Sequence, residues 1–259
     1  MCRLLAYLGR PLQLDHVLLE PEHSLVVQSY QPRKMQEALL NADGFGVGWY
    51  DTDAERLPYR YRHTYPIWND INLSDLARYV QSQQMLAYVR SATPGLPVDL
   101  GNCQPFAHEQ RLFCHNGYIE NFRHTLRRPL HDLLSASAEQ WIQGVTDSEY
   151  LSALILTYLE TVPLVAALTQ ALQTVTKLAQ NPFCKFAATL VISERDRLVA
   201  CRYANFDNYP TLYWIKNAPG YPDSVILASE PLFPGSWHPC TPRSILTVEA
   251  DLDVQSTPL

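Results

Sequence analysis

The chain has 259 residues, of which 47% are hydrophobic and 18% are charged, and this composition excludes a wholly disordered protein. Its 20 Lys and Arg residues and 26 Asp and Glu residues give a net charge of −6, which provides no basic surface for nucleic acid. No apolar run reaches the roughly 18 residues of a membrane span, and the N-terminus lacks the apolar segment of a secretory signal. We therefore expect a folded, cytoplasmic protein with no nucleic-acid or membrane partner.

The predicted elements are short strands and helices in mixed order. Strands are predicted over residues 2–8, 45–51, 84–90, 111–115, 186–193, 198–203, 212–215 and 225–229. Helices are predicted over residues 35–40, 73–82, 118–126, 138–144, 148–159 and 163–178. The last of these carries apolar residues at helical spacing, with Thr161 as the expected cap and Pro163 in the first turn. Since strand and helix do not alternate regularly, the pattern favours an α+β layered domain with largely antiparallel sheets.

Six cysteines are scattered along the chain, at positions 2, 103, 114, 184, 201 and 240. A chain of this length without a secretory signal needs no disulfides to stabilise its core, so we expect free thiols. Zinc binding is the alternative for the neighbouring residues Cys103, His108, Cys114 and His115. Their spacing matches no zinc template, and adjacent residues on a strand point to opposite faces. The sequence therefore predicts no metal site.

The N-terminus places Cys2 directly after Met1. Removal of the methionine would leave one residue with both a thiol and a free α-amine, whose ordinary pKa values are about 8.5 and about 7.7–8.0. Such a residue combines a nucleophile with a base that is partly neutral at physiological pH. The alternative is a small cysteine without a catalytic role.

Residues 41–51, NADGFGVGWYD, contain Gly44, Gly46 and Gly48, a spacing that imitates a dinucleotide-binding loop. Such a loop follows a strand and opens a helix, whereas Val47 and Trp49 continue here as a strand. Alternating glycines instead allow a neighbouring backbone or a substrate to approach closely. We interpret this segment as structural and adjacent to a site.

Two strand ends carry groups suited to binding charge. In YVRSATPG, residues 88–95, Arg90 ends a strand, where its guanidinium could grip a carboxylate at two points; a solvated surface arginine is the alternative. In FCHNGYIENF, residues 113–122, the strand is expected to break at Asn116 and Gly117 before a helix. An amide side chain and a backbone N–H there form two donors that could stabilise an oxyanion, and an ordinary Asn-Gly turn is the alternative.

In TDSEYLSALIL, Asp147 begins a predicted helix. A half-buried carboxylate at this position could receive an ammonium group. Thr146 and Glu149 also fit a capping box, so a purely structural helix cap is the alternative.

The order of these segments resembles the class II glutamine amidotransferase domain, an N-terminal nucleophile hydrolase. The resemblance rests on Cys2, DGFGVGWY, VRSATPG, HNGYIENF and TDSE, and extends to ASEPL at residues 228–232. It implies one domain over residues 1–259 with an α+β fold, the four-layer αββα sandwich of that hydrolase type. In this fold two antiparallel sheets pack face to face and helices cover the outside.

The same resemblance implies a role for each matching residue. Cys2 would be the nucleophile and its free amine the base, with Asn116 and Gly117 as oxyanion donors. Arg90 would hold the α-carboxylate of a γ-glutamyl substrate and Asp147 its α-ammonium. Thr93 and the backbone around Ser91 and Ala92 would line the pocket. No cofactor is required.

Three departures from the larger relatives bear on the substrate. Ser91 stands where these relatives usually have Trp, and Pro94 and Gln104 stand where they have His, which predicts a different pocket rim. About 30 residues follow Ser229, too few for an ammonia-accepting domain.

Among one-domain members, MCRLLAYLG, ADGFGVGWY, VRSATPG and NCQPF most resemble the γ-glutamyl hydrolases of ergothioneine biosynthesis. This implies a small-molecule substrate, γ-glutamyl-hercynylcysteine sulfoxide, from which glutamate is released. The alternatives are a glutaminase subunit that supplies ammonia to a partner synthase chain, and a non-enzymatic γ-glutamyl sensor.

Overall fold

The computed structural model describes residues 2–34, 40–51, 57–93, 95–180, 183–207 and 210–259. The strands within these residues are β1 Arg3–Gln13, β2 Phe45–Trp49, β3 Tyr59–His63, β4 Gln81–Val89, β5 Phe106–His108, β6 Arg111–Ile119, β7 Phe186–Glu194, β8 Arg197–Ala204, β9 Tyr213–Ala218, β10 Tyr221–Ala228, β11 His238–Pro239, β12 Ser244–Val248 and β13 Val254–Pro258. The α-helices are α1 Leu14–Leu18, α2 Leu25–Tyr30, α3 Leu73–Tyr79, α4 Arg127–His131, α5 Ala136–Trp141, α6 Asp147–Leu159 and α7 Leu164–Leu178. Short 3₁₀ turns lie at Ile67–Asn69 and Leu100–Asn102.

The described strands form two sheets. The first has the order β11-β9-β10-β1-β4-β2-β3, and the second has the order β13-β12-β8-β7-β6-β5. Neighbouring strands run antiparallel, as in the pairs of β1 with β4 and of β6 with β7. The N-terminal strand therefore lies in the middle of the first sheet, and β6 lies near one edge of the second.

Both faces of the central strands are buried, because each sheet packs against the other sheet on one side and against helices on the other. In β1, Leu4, Ala6 and Leu8 belong to the core between the sheets. The alternate residues Leu5 and Tyr7 pack on the opposite side, in the core shared with α1–α3. This explains why residues 4–8 of β1 form a continuous apolar run rather than an alternating one.

The helices complete the outer layers. Helices α1–α3 cover the first sheet, and α4–α7 cover the second. Helix α6 is buried on every side from Ser148 to Leu156, since it lies between the sheet and the other helices of its layer. The layer order is helix, sheet, sheet, helix, which confirms the α+β four-layer αββα sandwich.

The predicted break at Asn116 and Gly117 is wrong. Strand β6 continues to Ile119, and Gly117 pairs in register with Ala188 of β7. A Cβ on Gly117 would lie 2.0 Å from the Ala187 carbonyl oxygen, so the glycine permits close strand packing rather than a turn. The helix predicted over residues 118–126 is also wrong: these residues end the strand and then form turns, with Asn121 at a φ of 50°.

Helix ends differ from prediction in two further places. Pro163 is the N-cap of α7, and the Thr161 hydroxyl donates a hydrogen bond to the Tyr158 carbonyl instead of capping α7. The helix predicted over residues 73–82 ends at Tyr79, because β4 begins at Gln81. Of the helix predicted over residues 35–40, residues 35–39 lie outside the described part of the chain.

The structure confirms that all six cysteines are free, and each is buried. Among the described residues, Cys103, His108, Cys114 and His115 do not converge into a three-ligand cluster. No helix in the described ranges has both the length and the apolar character needed to cross a bilayer.

Candidate active site

Cys2 lies just before β1, on the face that packs against the second sheet. Only 9% of the residue is exposed, and it lines a cavity of about 730 Å³. The Ser91 N–H donates a hydrogen bond to the Cys2 sulfur at 3.3 Å, and the Ser91 carbonyl lies 3.5 Å from the same atom. These two contacts with the backbone of the turn after β4 fix the position of the Cys2 sulfur at the cavity wall.

Two buried titratable groups, Tyr88 of β4 and Cys114 of β6, belong to the same core between the sheets as Cys2. Burial, reinforced by the negative charge of a Cys2 thiolate, raises the pKa of Tyr88 and of Cys114 well above their ordinary ranges. Both groups are therefore protonated at neutral pH. Sequence reasoning missed Tyr88, whose position facing Cys2 depends on the register that pairs Leu4 with Tyr88.

Asn116 is completely buried in β6, on the strand face that also carries Cys114 and is directed toward the first sheet. Neither its Oδ1 nor its Nδ2 has a hydrogen-bond partner in the described residues. Leaving buried amide atoms unpaired costs about 1–3 kcal/mol per group, which structural residues avoid. The amide therefore has hydrogen-bonding capacity that the described residues do not use, and Asn116 itself is not among the residues that line the cavity. The next residue, Gly117, lines the cavity.

Arg90 is buried rather than solvated, so the alternative of a surface arginine is wrong. Its Nη1 donates to the Asp43 carbonyl and its Nη2 to the Pro97 carbonyl, both at 3.3 Å. The guanidinium does not itself line the cavity, whereas the following residues Ser91, Ala92 and Thr93 do. Arg90 has five N–H donors, and these two contacts leave others for a ligand.

The segment NADGFGVGWYD is adjacent to the site, as its glycine pattern predicted. The Asp43 carboxylate accepts a hydrogen bond from the Ala92 N–H at 2.7 Å and thereby holds the turn that contacts Cys2. A Cβ on Gly46 would lie 2.1 Å from the Gln104 carbonyl oxygen, so this glycine allows the two backbones to meet. The glycines serve packing, and the aspartate orients the cavity wall.

Asp147 is half-buried, begins α6 and lines the cavity. Its carboxylate accepts hydrogen bonds from the Ile119 N–H at 2.7 Å and from its neighbour Ser148 N–H at 2.8 Å. Desolvation raises the pKa of Asp147, against the opposing effects of His115 and of these N–H donors. The carboxylate thus joins the end of β6 to the start of α6.

The helix cap belongs to Thr146, whose hydroxyl accepts a hydrogen bond from the Glu149 N–H at 3.3 Å. The Glu149 carboxylate does not accept a hydrogen bond from the backbone N–H of Thr146, as a capping box would require. It accepts from the N–H groups of Gln143 and Gly144, both at 2.7 Å. Only half of the predicted capping box forms, and Asp147 is not the cap.

Gln104 does not lie at the pocket rim, which corrects one of the three predicted rim positions. It is buried, its Nε2 donates to the His115 carbonyl at 3.1 Å, and its Oε1 accepts from the His115 N–H. Strand β5 pairs with β6 from Phe106 opposite Phe113 onward, and the Gln104 side chain extends that ladder. Ser91 lines the cavity, and Pro94 lies outside the described residues.

A buried ionic network supports Cys2 from behind, and sequence reasoning missed it. The fully buried Arg3 donates from Nη1 to the Cys2 carbonyl at 2.9 Å, and its Nε lies 3.1 Å from the Glu230 carboxylate. Glu230 also contacts His23 Nε2 at 2.8 Å. It accepts two backbone N–H groups, those of Arg33 and Lys34, at 2.8 and 2.9 Å. The only signal in the sequence was the ASEPL segment that contains Glu230.

The outer wall of the cavity was also missed, because its residues fall within the wrongly predicted helix or just beyond it. This wall includes Phe122, Arg123, His124 and Arg127. Phe122, Arg123 and His124 lie in the turns that follow β6, and Arg127 is the first residue of α4.

Comparison with known proteins identifies the family to which this chain is similar. The family model described as "Glutamine amidotransferases class-II" matches residues 1–245. The chain is 33% identical over 261 residues to a γ-glutamyl-hercynylcysteine sulfoxide hydrolase of Mycolicibacterium smegmatis, with all of both chains covered.

Two solved structures share the fold. A glutamine aminotransferase class-II domain protein from Silicibacter pomeroyi superposes with a TM-score of 0.74 at 26% identity, covering 100% of this chain and 99% of the other. Glutamine phosphoribosylpyrophosphate amidotransferase from B. subtilis superposes with a TM-score of 0.68 at 17% identity, covering 99% of this chain and 49% of the other. The chain belongs to the class II glutamine amidotransferase family, whose members act on amide bonds.

Proposed function

We propose that this protein is a stand-alone amidohydrolase that cleaves a γ-glutamyl amide of a small metabolite and releases glutamate. The observation that carries the proposal is the unpartnered, fully buried amide of Asn116, on a strand face directed toward the sheet whose middle strand, β1, directly follows Cys2. An oxyanion hole requires such a donor, held in advance where water cannot satisfy it.

In the proposed reaction, Met1 is removed and the free α-amine of Cys2 accepts the thiol proton. The sulfur attacks the γ-carbonyl carbon, and the carbonyl oxygen becomes an oxyanion held by Asn116 Nδ2 and the Gly117 N–H. The C–N bond then breaks, and the departing amine takes the proton from the α-ammonium group. The result is a γ-glutamyl thioester on Cys2.

Water completes the cycle. The α-amine removes a proton from water, which attacks the thioester carbonyl and forms a second oxyanion at the same donors. Breakage of the C–S bond releases glutamate, and the proton returns to the sulfur. The same three groups act in both halves of the reaction, and no metal or organic cofactor enters it.

The charged residues around the cavity suit the γ-glutamyl group. Asp147 lines the cavity and would bind the α-ammonium. Arg90 does not line the cavity itself but adjoins the lining residue Ser91, and it would bind the α-carboxylate with the donors left free by its two backbone contacts. Ser91 and Thr93 line the same cavity as Cys2 and Asp147. We assign all of these roles to one domain over residues 1–259.

We propose γ-glutamyl-hercynylcysteine sulfoxide as the substrate, following the name of the full-length relative that is 33% identical. The cavity volume of about 730 Å³ supports a substrate with a bulky leaving group, since it falls in the range of sites for ligands much larger than glutamine. Binding energy from that leaving group would be used in the transition state, so a truncated substrate should lose kcat as well as KM.

The test compares kcat/KM for three substrates with one enzyme preparation: γ-glutamyl-hercynylcysteine sulfoxide, a simple γ-glutamyl amide and glutamine. We expect the first to exceed glutamine by at least about 100-fold, or about 2.7 kcal/mol. A preference for glutamine, or activity that depends on a second protein, would favour the glutaminase-subunit alternative. The intact mass of active enzyme should lack Met1, and activity of the full-length form would contradict the role of the α-amine.

A further inference from the structure

Two arginines project from the segment that follows β6 and line the cavity that contains Cys2. These residues, Arg123 and Arg127, lie one on each side of the exposed His124. Arg123 has neither an ion pair nor a hydrogen bond within the described part of the chain. An exposed arginine on a cavity wall without an acidic partner is free to bind an anion that enters the cavity.

Arg127 is held in place by an aromatic residue. Its Nε donates to the Tyr150 hydroxyl at 3.3 Å, and its guanidinium carbon lies 5.9 Å from the centre of the Tyr150 ring. This contact uses Nε and leaves both terminal amino groups without a partner among the described residues. A guanidinium that is oriented in advance loses less entropy when it binds a carboxylate at two points.

The acidic groups of the same cavity do not neutralise these arginines. The Glu120 carboxylate accepts a hydrogen bond from the Lys185 N–H at 3.0 Å, and the Asp147 carboxylate accepts from two backbone N–H groups. Neither forms an ion pair with an arginine of the described residues. The wall formed by Arg123 and Arg127 is therefore positively charged.

The number of charged groups on the substrate and in the site indicates which part of a substrate this wall would bind. A γ-glutamyl group carries one carboxylate and one ammonium, for which the proposed function already provides Arg90 and Asp147. Two further guanidinium groups on the cavity wall exceed that requirement. They would pair with a negatively charged group on the other half of the substrate, the half that departs as an amine.

We propose that Arg123 and Arg127 form a leaving-group subsite that binds a carboxylate on the departing amine. The preferred substrates are then γ-glutamyl derivatives of amino acids, in which a carboxylate lies one carbon from the scissile nitrogen. Neutral γ-glutamyl amides and glutamine lack this group. This inference rests on the proposed function and adds to it the residues that discriminate among γ-glutamyl compounds.

The test uses two substrates that differ only in that carboxylate, γ-glutamylalanine and γ-glutamylethylamide. Glutamate release is measured for the wild type, for Arg123→Ala, for Arg127→Ala and for the double variant. Arg128→Ala is the matched control, because Arg128 adjoins Arg127 in sequence but is 83% exposed, bonds to Asp132 and does not line the cavity.

We expect the wild type and Arg128→Ala to prefer γ-glutamylalanine by at least about tenfold in kcat/KM, about 1.4 kcal/mol. The double variant should reduce this ratio to near one, mainly by losing activity on γ-glutamylalanine. Arg127→Lys should recover part of the preference, since it restores a charge without the planar fork. If Arg127→Ala does not fold, Arg123→Ala alone, in an exposed turn, should still lower the ratio severalfold.

An unchanged ratio in the variants would overturn the subsite. Equal losses on both substrates would also overturn it, because they would place the arginines on the glutamyl half. If the wild type released glutamate from neither compound nor from the sulfoxide substrate, the proposed function would fail and the subsite with it. Normal activity on the sulfoxide with an unchanged ratio would reject the subsite alone.

Discussion

Asn102 and Asn116 are both buried, but their surroundings differ. The Asn102 amide, in the loop before β5, donates to the Pro97 carbonyl at 3.1 Å and accepts from the Val145 N–H at 3.0 Å. The Asn116 amide, in β6, has no partner among the described residues. The first joins two loops and is structural. The second keeps its hydrogen-bonding capacity unused within the described residues, which is the property that an oxyanion donor would need.

Two carboxylates repeat the contrast, the buried Glu230 and the half-buried Asp147. Glu230 has four partners from Arg3, His23 and two backbone N–H groups, and does not line the cavity. These partners hold the pKa of Glu230 below its ordinary range in spite of burial. Asp147 lines the cavity, and desolvation raises its pKa. The Glu230 carboxylate is thus fully engaged by groups of the folded chain, although Arg3 Nε and Nη2 have no hydrogen-bond partner among the described residues, whereas Asp147 borders the cavity.

The largest effect is expected from Cys2→Ser on the cavity side. A hydroxyl is far less ionised than a thiol near neutral pH, so kcat should fall by more than about 10³-fold. The melting temperature should change little, because the variant differs by one atom. Turnover close to that of the wild type would reject Cys2 as the nucleophile.

Glu230→Gln tests the supporting region. It leaves the buried Arg3 without its counter-ion, which should lower the free energy of unfolding by about 3–5 kcal/mol. Denaturant unfolding monitored by circular dichroism measures this loss. Glu22→Gln is a control, since the Glu22–Arg33 ion pair is exposed and should contribute less than about 1 kcal/mol. Equal stability of the two variants would show that the network behind Cys2 is not structural.

Asn116→Ala and Asn102→Ala, measured together, test the opening comparison directly. Asn116→Ala should lower kcat by roughly 10²–10³-fold, about 2.7–4 kcal/mol, with little loss of stability. Asn102→Ala should cost about 1–3 kcal/mol of stability, because two bonded groups lose their partner, while kcat changes less than in Asn116→Ala. A change in KM alone for Asn116→Ala would indicate a positioning role instead.

The smallest effect is expected from Asp147→Asn, which should lower kcat/KM at neutral pH by about tenfold. Since desolvation raises the pKa of Asp147, the wild-type carboxylate becomes neutral at a pH above the ordinary aspartate range near 4. Its attraction for a substrate ammonium, and with it kcat/KM, should fall as the pH decreases through the raised pKa. The variant should lack this dependence. Identical pH profiles for the wild type and Asp147→Asn would contradict a role in substrate binding and would indicate that Asp147 acts only through its two backbone hydrogen bonds.

The sequence by itself determined the main strands and the two long helices, because apolar periodicity reports which faces are buried. It also identified the motifs around Cys2, Arg90, Asn116 and Asp147, since their order along the chain is retained whatever the packing. Local signals were misleading at Asn116 and Gly117. An Asn-Gly pair favours a turn in isolation, and only pairing with β7 holds these residues in a strand.

Only the tertiary structure decided which groups meet. Arg3 and Glu230 are 227 residues apart, and the register that pairs Leu5 with Ala228 brings them together. The hydrogen-bond partners of Gln104 and the free amide of Asn116 likewise depend on contacts between distant segments. A local sequence pattern indicates which residues are buried and where turns are favoured. It does not indicate which buried polar groups are hydrogen-bonded, because their partners lie on distant segments that meet only when the sheets form.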